Sequence, residues 1–118
     1  MTVSVNFDVN WRDEWVRLIN KLEKQFGKIP DTNAVLFLVG VQELGRGPLN
    51  FSKEEKQDLM HVGLCKTLSV SGHYVLSHWD EAGWPHFTTL KPVPLMDTRE
   101  QEKYIKQHLI SYFKSIGL

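Results

Sequence analysis

Hydrophobic residues recur at helical spacing in the first quarter of the chain. When successive residues turn by about 100°, as in an α-helix, the apolar side chains of residues 11–26 form one stripe. The stripe consists of Trp11, Trp15, Leu18, Ile19, Leu22 and Phe26. Asn10 is suited to cap the start of this helix, and Gly27 is suited to end it in a left-handed conformation. The pattern therefore predicts a helix over residues 11–26.

The pattern of residues 31–44 is compatible with two structures. Apolar residues fill almost every position from 34 to 41, which suits a buried strand as well as a buried helix, and Gly40 weakens a helix. Asp31 or Thr32 can cap a helix, however, and Gly45 can end one. The length also exceeds that of an ordinary strand. We expect a buried helix, with a buried strand over residues 34–44 as the alternative.

Capping signals predict two further helices. Ser52 and Glu55 have the spacing of a capping box, ahead of a helix that we expect to reach residue 69 or 70. Thr98, with Gln101 three residues later, marks the start of a last helix, and Gly117 ends it. Apolar residues at helical spacing follow both signals.

Residues 73–79 and 84–90 read as the two strands of a β-hairpin. Asp80 and Gly83 fit the first and fourth positions of a type I turn with a left-handed glycine bulge. Pro85 cannot donate a backbone hydrogen bond, so its strand is expected at an edge or with this residue on the unpaired side.

The turn also predicts the register of the hairpin, and with it a candidate binding surface. The predicted opposite pairs are Asp80 with Trp84, His78 with His86, and Leu76 with Thr88. A loop one residue longer would separate the two histidines, because side chains alternate between the faces of a strand. Trp and His side chains on one face are compatible with recognition of a partner, but half-buried cross-strand packing is the interpretation that we prefer for this face. The candidate surface comprises His78, Asp80, Trp84 and His86.

These elements together predict an α+β fold that is predominantly helical, with about four helices packed with one β-hairpin. Alternating Val3, Val5 and Phe7 predict a third, N-terminal strand over residues 2–7. No repeat, low-complexity tract or long linker divides the chain. We therefore expect a single domain over residues 1–118, long enough for a core without metal or disulfide support.

The charge balance limits the classes of partner. Lys and Arg number 14, and so do Asp and Glu, so the chain has no excess of basic residues with which to bind nucleic acid or an anionic membrane. The longest apolar run is too short to span a bilayer. The single cysteine and the absence of a leader-like N-terminus predict a cytoplasmic protein.

One helical face carries a possible metal site. Asp58, His61 and Cys65 follow each other at i, i+3 and i+7 in the third predicted helix, so they lie on adjacent turns. Their side chains are all ligands of transition metals, and zinc is the first candidate. The chain has no CxxC or HExxH motif, however. We favour the simpler interpretation of a solvated polar face whose thiol packs under a neighbouring element.

Three functional classes follow from these features. The favoured one is a non-enzymatic interaction or accessory protein, with a protein partner or a homodimer formed through the Trp- and His-rich hairpin. The second is a small transition-metal-binding protein or metal-dependent enzyme that uses Asp58, His61 and Cys65, with or without His78 and His86. The third is a small-ligand binder. We find no catalytic motif, and we do not expect an enzyme.

Overall fold

Four α-helices and one two-stranded antiparallel hairpin form the part of the chain that the computed structural model describes, residues 9–47 and 50–118. In chain order the elements are α1 (Trp11–Phe26), α2 (Thr32–Leu44), α3 (Lys53–Leu68), a short 3-10 turn (Ser69–Ser71), β1 (Tyr74–Trp79), β2 (Pro85–Thr89) and α4 (Thr98–Ser115). The predicted fold class is confirmed. The predicted strand over residues 2–7 lies outside the described residues. None of the four helices is both long and apolar enough to cross a membrane.

The helix ends follow the capping signals with two corrections. Asn10 precedes α1 as predicted, but its side chain makes no capping hydrogen bond. Ser52 and Glu55 form the capping box, since each side chain accepts the other residue's backbone N–H. In α4 the cap is Asp97 rather than Thr98, because the Asp97 carboxylate accepts the backbone N–H of Glu100 at 2.8 Å. Asp is a stronger N-cap than Thr, so the helix begins with Thr98 as its first helical residue.

The segment that could have been a buried strand is helix α2, and its glycine is required by packing. A Cβ atom on Gly40 would lie 2.0 Å from the carbonyl oxygen of Leu59 in α3. A Cβ atom on Gly63 of α3 would lie 1.9 Å from the carbonyl oxygen of Leu36 in α2. The two glycines thus let each helix touch the backbone of the other. Gly40, which weakens a helix on propensity alone, is what allows α2 to pack so closely on α3.

The main core lies between α1, α2 and α4. It is built from buried aliphatic and aromatic side chains, chiefly Leu18, Leu22, Val35, Val39, Leu109 and Phe113. On the other side of α2, helix α3 carries the hairpin, where Pro85 of β2 is buried and Phe87 is half-buried. Strand β2 is therefore the hairpin strand that packs inward, and its end lies beside the first turns of α3.

The hairpin register confirms the predicted histidine pair and corrects the pairing beyond it. His78 lies opposite His86, and the backbone N–H of Asp80 donates to the carbonyl of Trp84 at 2.9 Å. Leu76 pairs with Phe87, not with Thr88 as predicted. A β-bulge between Leu76 and His78 places an extra residue in β1, which moves Leu76 to the opposite face.

Candidate functional site

A groove of about 540 Å³ lies between the first half of α3 and the turn end of the hairpin. It brings Asp58 and His61 of α3 together with Asp80, Trp84 and His86 of the hairpin. The sequence placed these residues in two separate candidate sets. The other lining residues, which sequence reasoning did not select, are Glu55, Val62, Pro85 and Phe87.

Asp80 is held in place by the turn that it begins. One carboxylate oxygen accepts the backbone N–H of Trp84 at 2.9 Å, and the other accepts the Nε2–H of His86 at 2.9 Å. The hydrogen bond from His86 and the backbone hydrogen bond from Trp84 lower the pKa of Asp80 below its ordinary value. The Asp80 carboxylate is therefore fixed and ionised at neutral pH.

The two histidines of the hairpin are stacked. The ring centroids of His78 and His86 are 4.7 Å apart, and the ring planes differ by 2°. His78 Nδ1 also lies 2.9 Å from the hydroxyl of Ser77. The stack fixes the plane of the His86 ring, while the ring edge donates to Asp80. The predicted surface of His78, Asp80 and His86 is thus a connected set of side chains around an anion.

On the α3 side, Asp58 and His61 are exposed to the groove, whereas Cys65 is buried and does not line it. His61 Nε2 lies 3.5 Å from Cys65 Sγ. Burial raises the pKa of Cys65 to about 11, so the thiol of the metal-free chain is neutral at physiological pH. A small thiol packed under a neighbouring element is the interpretation that we favoured from the sequence.

The predicted metal set does not come together as one cluster. Across residues 9–47 and 50–118, no three His, Cys, Asp or Glu side chains are arranged so that they could hold a metal ion. Asp58 and His61 share the groove, but Cys65 lies beneath the helix surface, and the hairpin histidines are engaged with each other and with Asp80.

The groove is acidic. Glu55, Asp58 and Asp80 contribute carboxylates, and no Lys or Arg is among the residues that line it. Glu55 uses its carboxylate to accept the Ser52 backbone N–H, which leaves its charge in place. Trp84 is half-buried and is the aromatic residue with an indole among those that line the groove. Carboxylates beside an aromatic ring suit the binding of a cation.

A second histidine pair, which sequence reasoning did not select, is buried where the hairpin meets α4. His73 Nδ1–H donates to the carbonyl of Lys91, and its Nε2 lies 2.6 Å from the Tyr104 hydroxyl. His108 Nδ1–H donates to the carbonyl of Tyr104 at 2.7 Å, and its Nε2 accepts from the Ser71 hydroxyl at 2.6 Å. Carbonyl oxygens only accept, so these bonds assign a proton to Nδ1 of each ring. The signal for this pair in the sequence was the i, i+4 spacing of Tyr104 and His108 in α4.

An apolar groove of about 800 Å³ lies on the far side of the molecule, along α2. Phe26 of α1, Phe113 of α4 and Phe51 contribute to it, together with Phe37 and Leu38 of α2. Apolar residues lie on every side of α2, whereas only one face of this helix contacts α3. This excess of apolar residues was the signal in the sequence for the groove. This groove holds no charged side chain among its lining residues.

The first groove therefore offers the fixed carboxylate of Asp80, the carboxylates of Glu55 and Asp58, and the side chains of His61, His86 and Trp84. No protein-family model, no curated protein and no solved structure matches this chain significantly.

Proposed function

We propose that this chain is a non-enzymatic interaction domain that binds a positively charged side chain of a partner protein in the groove between α3 and the hairpin. The observation that carries the proposal is the composition of that groove. Glu55, Asp58 and Asp80 supply three carboxylates to one volume that Trp84 also lines, and no Lys or Arg is among its described lining residues.

The geometry of Asp80 supports recognition, because the carboxylate is ordered before any partner arrives. Its bonds to Trp84 and His86 fix its position, so a ligand does not have to immobilise it. The Trp84 ring lies in the same wall. A Lys or Arg side chain that enters the groove can thus contact a carboxylate and an aromatic face together.

The expected affinity for a single side chain is low. An exposed ion pair contributes about 0.2–1 kcal/mol, and an exposed cation–π contact about 0.5–1 kcal/mol. Their sum stays below the roughly 4.1 kcal/mol that corresponds to a Kd of 1 mM. An isolated cationic residue should therefore bind weakly, and a natural partner should add contacts from the flanking segment.

The proposal is tested by NMR titration of the ¹⁵N-labelled protein with capped tripeptides. The probes are Gly-Arg-Gly and Gly-Lys-Gly, with Gly-Gln-Gly as the uncharged control. We expect saturable shifts of backbone amides within residues 55–62 and 80–87 for the cationic peptides alone. The shifts should weaken as salt is added, because screening reduces attraction between exposed charges.

Matched variants locate the binding site. Asp58→Asn removes one groove charge from an exposed position, and we expect it to weaken binding of Gly-Arg-Gly. Glu23→Gln removes one charge from α1, away from the groove, and should leave binding unchanged. Equal weakening by both variants, or equal shifts with the glutamine peptide, would contradict the proposal.

A further inference from the structure

Strand β1 exposes almost its whole length. Residues 75–79 are all exposed, and the exposed fractions of Val75, Leu76 and Trp79 are 44%, 43% and 51%. Strand β2 instead buries Pro85 and half-buries Phe87 against α3. Among the described residues, no further strand pairs with β1 on the edge away from β2.

Within residues 9–47 and 50–118, no backbone partner faces the edge of β1 that lies away from β2. The backbone N–H of Leu90 donates to the carbonyl of His73, so the carbonyl of His73 points toward β2. Orientation alternates along an antiparallel strand, so Val75, which pairs with Thr88, also points inward, and Tyr74 and Leu76 point outward. Outside the ladder with β2, no backbone hydrogen bond within the described chain reaches β1.

The side chains of β1 carry none of the usual protection of an open edge. Natural edge strands are commonly blocked by Lys, Pro or inward-pointing charges, and Tyr74–Trp79 contains no charged residue and no proline. A bulge after Leu76 interrupts the second half of the strand. The regular stretch that remains free is residues 74–76.

We propose that this edge pairs with β1 of a second copy of the chain, antiparallel and about a two-fold axis at Val75. The backbone N–H of Tyr74 then donates to the carbonyl of Leu76 of the second copy, and the backbone N–H of that Leu76 donates to the carbonyl of Tyr74. The two-fold axis repeats both bonds on its other side. Val75 lies opposite Val75 of the second copy. The hairpins become one four-stranded sheet, which relieves the marginal stability of a two-stranded one.

The sequence of the edge favours a second copy over another strand. Self-pairing brings identical residues together, and an uncharged segment does so without repulsion. The pairs that result are Val with Val and Tyr with Leu, and β-branched and aromatic–aliphatic pairs stabilise antiparallel strands. The acidic groove is lined by β2 and the turn, not by β1, so dimerisation leaves it open.

The first test is the mass of the unmodified protein by sedimentation equilibrium, from about 10 to about 500 µM. We expect the mass to rise from 13.7 kDa toward twice that value, about 27 kDa. Amide hydrogen exchange at Tyr74 and Leu76 should slow over the same range of concentration. A mass that stays at 13.7 kDa, or a dimer without added protection at these two amides, overturns the proposal.

Two lysine variants identify the edge. Val75→Lys places two ammonium groups opposite each other at the axis, and we expect self-association to fall at least tenfold. Thr88→Lys places the same charge on the neighbouring strand, where Thr88 is exposed, and should leave the dimer intact. Equal dissociation by both variants rejects the β1 edge as the interface.

Mixing opposite charges provides the complementary test. A mixture of Val75→Lys and Val75→Glu chains should form dimers to at least the level of the unmodified protein, since the central pair then attracts. Failure of the mixture to associate, with both variants folded by circular dichroism, overturns the proposed register. If either variant is unfolded, the exchange of the unmodified protein decides.

Discussion

Acidification should destabilise the fold through the buried His108. This ring is fully buried, and its burial lowers its pKa below the ordinary value of 6.5, with the nearby His73 acting in the same direction. Tyr104 and Ser71 are its other hydrogen-bonding neighbours. As the pH falls below 6.5, the unfolded chain takes up a proton at His108 that the folded chain does not. The free energy of unfolding should therefore decrease.

The size of this effect follows from proton linkage. A difference of one bound proton changes the free energy of unfolding by at most about 1.4 kcal/mol per pH unit. With an unfolded pKa of 6.5, the loss between pH 7 and pH 5 is at most about 2 kcal/mol, which is the limit for a ring that takes up no proton in the folded chain. The stability is fully present above about pH 7 and is lost progressively below 6.5.

Urea denaturation followed by circular dichroism at pH 5, 6 and 7 measures this loss. His108→Gln lowers stability at every pH. It should also reduce the slope of the free energy of unfolding against pH by the contribution of about one proton. If His108→Gln retains the full slope, or if stability does not change between pH 7 and pH 5, the buried neutral imidazole is not the cause.

Two further predictions concern the frame around the site. Gly63→Ala should destabilise the fold by about 1–3 kcal/mol in urea denaturation, because its Cβ would meet the Leu36 carbonyl. This loss is expected despite the higher helix propensity of alanine. The control Gln42→Ala, on the exposed side of α2, should change stability by less than about 0.5 kcal/mol. Asp97→Ala should cost about 1 kcal/mol through loss of the α4 cap, and a larger loss from Thr98→Ala would show that the cap is wrongly assigned.

The helices were predictable because their signals are local. The stripe of α1 and the capping box of Ser52 and Glu55 need only neighbouring residues, and both are confirmed. The ambiguity of α2 was not local. Whether Gly40 weakens a helix or permits a close approach depends on Leu59 of α3, which lies far along the sequence.

The hairpin shows the same division within a few residues. The pairing of His78 with His86 follows from the turn between them and is confirmed. The pairing of Leu76 depends on a bulge in β1, for which the sequence carries no glycine or other local mark. Register could thus be predicted as far as the turn determines it, and no further.

The candidate groove was predictable in its parts but not as a site. Asp58 and His61 were selected from helix periodicity, and Asp80, Trp84 and His86 from the turn, yet only the packing of β2 on α3 makes them neighbours. The same periodicity grouped Cys65 with Asp58, because it reports which side of a helix a residue occupies and not what covers that side. In α3 the covering element differs between the first turns and the last ones.

The hairpin has two sides with different tasks in these proposals, and the two can be separated by experiment. Strand β2 and the turn line the acidic groove, whereas β1 supplies the free edge. Asp58→Asn should therefore weaken binding of a cationic peptide while leaving the mass at high concentration unchanged. Val75→Lys should lower the mass and leave peptide binding intact, since residue 75 does not line the groove. If one of these variants changed both the peptide binding and the mass at high concentration, one surface would serve both functions. That result would contradict the separate locations of the groove and the β1 edge.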